Sequence, residues 1–141
     1  MLQTTDIETK QKPSVVDKQE VLQQALQSPQ QTLRQLCNKS LFNFIQVFWD
    51  VVSNDEFRPN WHIELLCNEL EQIAERVHRR EPKQYDLIIN IPPGTTKTMT
   101  CSIMFPVWCW TKWHYMKFIT ASYSASLALE SAEYSRDIIR S

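Results

Sequence analysis

The sequence predicts an α/β protein: a helical N-terminal segment followed by a βαβα unit built on a parallel sheet. Three observations carry this prediction. Apolar residues recur at helical spacing as far as about residue 80. That period is lost at "YDLIINI" (85–91), whose nearly continuous apolar end suits a strand buried on both faces. The only glycine of the chain, Gly94, then interrupts "NIPPGTTKTMT" (90–100) just before a new helical pattern begins.

Taken in order, residues 1–17 are polar and unpatterned and are expected to form a mobile tail, and residues 18–82 form the helical segment. Within it, "KQEVLQQALQSPQQTLRQLCN" carries leucines at 22, 26, 33 and 36, which suggests two short helices broken at Ser28-Pro29. There Ser28 can cap and Pro29 can take the first helical position. "SLFNFIQVFWDVV" places Leu41, Phe44, Ile45, Phe48 and Val52 on one stripe, widened by Phe42, Trp49 and Val51. "NWHIELLCNELEQIAERVHRREP" starts at Asn60, a cap candidate, and aligns Ile63, Leu66, Leu70, Ile73 and Val77. Arg76, His78, Arg79 and Arg80 close that helix, where cations suit the helix dipole, and Pro82 stops it. The same four residues read alternatively as a DNA-facing patch.

Residues 83–141 carry the βαβα pattern. After the first strand and its loop, "KTMTCSIMFPVWCWTKW" reads as a helix that Pro106 kinks or ends. "MKFITAS" is a second short strand, and "SASLALESAEYSRDIIRS" is a second helix with Ser124 as its cap candidate. Strands joined through a helix imply parallel pairing with a right-handed crossover.

Composition narrows the function classes. The 141 residues are 43% apolar with a formal net charge of −1, so no overall attraction to nucleic acid or an anionic membrane is expected. Cys37, Cys67, Cys101 and Cys109 form no close pairs and accompany no histidine cluster, which argues for small buried residues rather than a zinc site. The N-terminus lacks the apolar core of a signal peptide and no run is long enough to span a membrane, so the expectation is a soluble protein of a reducing compartment.

The loop carries the chemistry. Backbone N–H groups at a strand-to-helix turn, with the positive end of the helix behind them, form a cradle for phosphate. A lysine at the helix start then reaches the terminal phosphates, and the next hydroxyl binds Mg²⁺. Lys97 and Thr98 stand at those positions. The G-x-x-x-x-G-K-[ST] pattern places glycines at 91 and 96, where this chain has Ile91 and Thr96. A β-branched residue held at positive φ costs roughly 1–2 kcal/mol, so the loop either tolerates this at Thr96 or curves differently. The residues alone leave open a phosphate loop or a plain strand-to-helix turn.

"LIINIPPGTTKTMTCSIMFPVWCW" followed by "KFITASYSASLALESAEYSRDIIRS" resembles the ATPase domain of the large terminase subunit of tailed bacteriophages. The upstream "FRPNWHIELLCNELEQI" is similar to the family's segment before the loop, and the resemblance covers about residues 41–141. It implies the start of a RecA-like P-loop NTPase sheet, with ATP and Mg²⁺ as cofactors. Lys97 would contact the β- and γ-phosphates, Thr98 would help hold Mg²⁺, and Gly94, Thr95 and Thr96 would offer N–H groups. Trp61 and His62 fall where relatives carry a base-contacting group, although Trp61 also reads as a packed residue at a helix start. Pro93 replaces an arginine common in the family, and Arg136 or Arg140 are the alternative sources of charge, or simply solvated. Tyr123 and Ser124 end the second strand, where they would position nucleotide or DNA, or cap the helix.

The implied activity is ATP-driven packaging of double-stranded DNA into a procapsid in the host cytoplasm. The implied partners are DNA, a portal protein, the small terminase subunit and further copies of the motor. Past Lys97 the acidic residues are Glu130, Glu133 and Asp137, all within the last helical pattern. Neither an apolar strand ending in Asp-Glu nor a nuclease carboxylate cluster is found. The sequence therefore reads as the first part of such an ATPase, with hydrolysis by this stretch alone expected to be near background. Alternatives are another P-loop enzyme, such as a helicase or a small kinase, and a non-catalytic regulatory remnant.

Overall fold

Helix formation follows the apolar spacing closely. A computed structural model describes residues 28–141; the expected tail over 1–17 and the first glutamine-rich helix lie outside the described residues. Helix α1 (Pro29–Lys39) opens on Pro29, and the Ser28 carbonyl accepts the Thr32 N–H at 3.1 Å. Helix α2 spans Leu41–Val52 and α3 spans Trp61–His78. A π-helical turn, Met99–Met104, runs directly into α4 (Phe105–Lys112), and α5 covers Ala125–Arg140.

The chain from Arg34 to Ser141 packs as one unit, and its core is helix against helix. Leu41, Phe44, Ile45 and Trp49 of α2 meet Ile63, Cys67 and Leu70 of α3, Met104 and Trp108 of the central helix, and Ile138 of α5. The α2 stripe is as predicted, with Trp49 buried and Phe48 half-buried. On α3 the buried face is Ile63, Cys67, Leu70 and Ala74, whereas Val77 is 60% exposed. Small residues rather than the larger Ile73 and Val77 let α3 approach its neighbours. Cys37, Cys67 and Cys109 are buried and Cys101 is half-buried, all as free thiols. Burial pushes the Cys67 and Cys109 thiols up to about 12, as expected of small core residues.

The predicted βαβα parallel sheet is not formed: no strand occurs among the described residues. Both candidate strands are irregular segments. Along 87–91 burial alternates, with Leu87, Ile89 and Ile91 half-buried and Ile88 87% exposed. The second segment inserts Met116 and Phe118 into the helical core and leaves Ile119 99% exposed. A helix satisfies its own backbone groups, whereas a strand requires a partner at ladder distance. Each segment docks one face of side chains on the helices, and no ladder joins the two. The apolar run of 85–91 is present as read, but the expected burial on both faces is not: one face is exposed.

The basic end of α3 is internally balanced. Arg76 pairs with Glu81 at 3.2 Å, and Arg79 pairs with Glu75 at 3.2 Å and Glu81 at 3.8 Å. Arg80 takes φ 56°, a left-handed helix end closed by the bond from Glu81 N–H to the Arg76 carbonyl. Arg76 and Arg79 are thus ion-paired, whereas Arg80 forms no salt bridge among the described residues.

One helix start is capped from a distance. The Glu71 carboxylate of α3 accepts the Leu41 N–H at 2.6 Å and the Ser40 hydroxyl at 3.3 Å, holding the N-terminus of α2. A carboxylate there satisfies an orphan donor and suits the positive helix end. Glu71→Ala is expected to cost about 1–2 kcal/mol and to lower the thermal midpoint by several degrees. Glu75→Ala, which breaks only an exposed pair, should shift it little. Equal effects in calorimetry would show that the cap contributes nothing.

Candidate functional site

The loop between Ile91 and Lys97 is shaped by two left-handed residues. Gly94 takes φ 79° and Thr96 takes φ 64°. A Cβ placed on Gly94 would meet nothing within 4 Å, so its backbone angle, not space, calls for glycine there. Thr96 sits where the standard phosphate-loop pattern has glycine, and it adopts a glycine-like angle. The loop tolerates the strain rather than curving differently. Local bonds help: the Thr95 hydroxyl donates to the Pro92 carbonyl, and the Thr96 hydroxyl donates to the Thr95 carbonyl at 2.6 Å.

Helical backbone begins at Lys97, and the Thr96 carbonyl accepts the Thr100 N–H at 2.9 Å. The N–H groups of Lys97, Thr98 and Met99 therefore lead the helix with no carbonyl one turn back to accept them. Thr98 is helical, at φ −63° and ψ −43°, and no side chain caps this end. Lys97 and Thr98 are both exposed, and Lys97 forms no salt bridge among the described residues.

Lys97 and Thr98 line a groove of about 760 Å³ between the central helix and α5. Its other walls include Ser102, the segment Thr120–Tyr123, and Glu130 and Tyr134 of α5. The structure thus brings the lysine and threonine of the loop to the same groove as Tyr123, through helix packing and not through the expected sheet edge. Trp61 and His62 are not among the groove's lining residues. Trp61 is 73% exposed at the start of α3 and stacks edge-on with His62 at 6.1 Å. Ser124 holds the cap position of α5 at φ −125°, but its hydroxyl pairs with that of Ser126 at 2.7 Å. Arg136 pairs with Asp137 at 3.3 Å and is not among the residues that line this groove.

Glu130, which the sequence places only within the last helical pattern, is the one carboxylate lining the groove among the described residues. Its helical spacing from Leu127, three residues back, and Tyr134, four residues on, both of which line the same wall, is the signal that the sequence offers.

The groove presents the Lys97 ammonium, which has no salt bridge among the described residues, the leading N–H groups, the Thr98 hydroxyl and the Glu130 carboxylate; the last two are hard oxygen donors of the kind Mg²⁺ takes. No group of three or more His, Cys, Asp or Glu side chains gathers into a metal cluster among the described residues. No described helix is long and apolar enough to cross a membrane.

Thr96→Gly tests the strained position. Relief of the left-handed threonine should stabilise the protein by about 0.5–1 kcal/mol, after allowing for the greater freedom of glycine in the unfolded chain. In the nucleotide-binding reading proposed below, affinity for Mg·ATP should be kept or improved. A large loss of affinity with stability retained would make the Thr96 side chain itself a ligand contact. Comparison with protein families, curated proteins and solved structures found no match to this chain.

Proposed function

We propose that residues 94–98 bind the phosphates of ATP together with Mg²⁺, as part of the ATPase of a viral DNA-packaging motor. One observation carries the phosphate reading: Thr96 holds a glycine-like φ of 64° immediately before a helix whose first lysine opens onto a groove. A β-branched residue in that conformation is uncommon and persists where the surroundings demand it.

In this reading the Lys97 ammonium takes the terminal phosphates, and the N–H groups of Lys97, Thr98 and Met99 cradle them. The Thr98 hydroxyl and the Glu130 carboxylate face the cation. Bound Mg²⁺ neutralises phosphate charge and favours attack at phosphorus. The packaging role, the double-stranded DNA, portal and small-subunit partners, further copies of the motor and a host-cytoplasmic setting rest on the terminase resemblance of residues 41–141.

A second reading, nucleotide binding without turnover, is favoured by Glu130 being the sole carboxylate in the groove among the described residues. Hydrolysis requires one group for the cation and another to orient water. Calorimetric titration of Mg·ATP tests the shared claim, and the absence of saturable binding would overturn both readings. Steady-state phosphate release then separates them.

A further inference from the structure

Phe105 donates its N–H to the carbonyl of Thr100, five residues back, rather than to Cys101. The extra residue makes Met99–Met104 a π turn in the middle of a helix that otherwise runs from the loop to Lys112. Its cause is the next residue. Pro106 has no N–H, so the Ser102 carbonyl loses its α-helical donor, and the ring would crowd that carbonyl in a regular turn. Widening the turn removes the conflict. The buried Thr100 hydroxyl is left without a partner inside it.

The turn has a geometric consequence for Lys97. In an unbroken α-helix, residues five apart differ by about 140° in direction, so Lys97 and Ser102 could not face one groove. They do face one groove. In the same unbroken helix Lys97 would lie within about 20° of Met104 and Trp108, seven and eleven residues on. Both of those are fully buried. One extra residue in the turn rotates everything before it by about 100°, off the core direction.

We propose that Pro106 is a positioning residue: by imposing the π turn it swings Lys97 and Thr98 away from the core direction and into the groove. The functional part of this inference rests on the phosphate reading above; the structural part does not. Pro106 is buried and is not among the residues that line the Lys97 groove, so it acts through the helix rather than by touching a ligand.

Pro106→Ala should let the helix regularise, and three measurements judge the outcome. In the unaltered protein, scalar coupling across the hydrogen bond should link the Phe105 N–H to the Thr100 carbonyl; coupling to the Cys101 carbonyl would overturn the proposal and needs no variant. In folded Pro106→Ala protein, alkylation of Cys101 should slow at least threefold, because a regular helix turns it toward the direction of Trp108. Cys37, Cys67 and Cys109 are buried, so peptide mapping resolves this site. Mg·ATP affinity should fall at least tenfold with the thermal midpoint retained. Unchanged alkylation, or unchanged affinity in a wild-type protein that binds, would overturn it. Failure of the wild type to bind Mg·ATP would instead count against the phosphate reading, leaving the coupling and alkylation results to decide the turn.

Discussion

Lys97→Ala is expected to weaken Mg·ATP binding by about 10²-fold or more while leaving the fold intact. The side chain is exposed at the head of its helix and has no salt-bridge partner among the described residues, so its removal opens no cavity and orphans no charge. Surface substitutions of this kind move stability little, and the thermal midpoint should stay within about 2 °C. Binding is different. A charge-assisted bond from ammonium to phosphate is worth about 1.5–3 kcal/mol, and long-range attraction to a multiply charged ligand adds to it. Lys97→Arg should recover only part of the loss, because a planar fork replaces a compact charge. Titration of Mg·ATP into the three proteins decides the matter. Equal affinities would remove the loop from the binding site altogether.

What was legible in the sequence was local. The α2 stripe of Leu41, Phe44, Ile45 and Val52 appears as read, because helical periodicity needs only neighbours along the chain. The strained position at Thr96 could be named from its place in the loop pattern, since a left-handed angle is a property of one residue. Features that join distant residues were not legible. Glu71 caps a helix start 30 residues earlier, and nothing near Glu71 announces it. Glu130 reaches the groove only because α5 packs beside the central helix. The sheet failed for the same reason. "YDLIINI" and "MKFITAS" have the side chains of strands, but a strand is defined by its partner, and these two segments dock on helices instead. Pro106 in the sequence suggests a kink or an end; the helix instead continues through a widened turn ahead of it.

Trp108→Ala is expected to be the most destabilising single change in the chain. Trp108 is fully buried, and its indole N–H donates to the Cys37 carbonyl at 2.9 Å, tying α4 to α1 across 71 residues. The Lys112 ammonium lies 4.4 Å from its ring centroid, and Trp113 meets it edge-on at 6.1 Å. Truncation removes the ring from the centre of the helical core, which costs about 3–5 kcal/mol for a buried aromatic. It also leaves the Cys37 carbonyl without its donor, a further penalty of about 1–3 kcal/mol. Against a total stability of about 5–15 kcal/mol, the sum brings the protein close to unfolding at ordinary temperature. Trp108→Phe separates the two contributions. Phenylalanine keeps most of the ring volume and loses the hydrogen bond, so its cost should be about half that of alanine. Denaturant unfolding of the three proteins reads the difference directly. A Trp108→Ala protein with an unshifted midpoint would mean that the core does not centre on this residue.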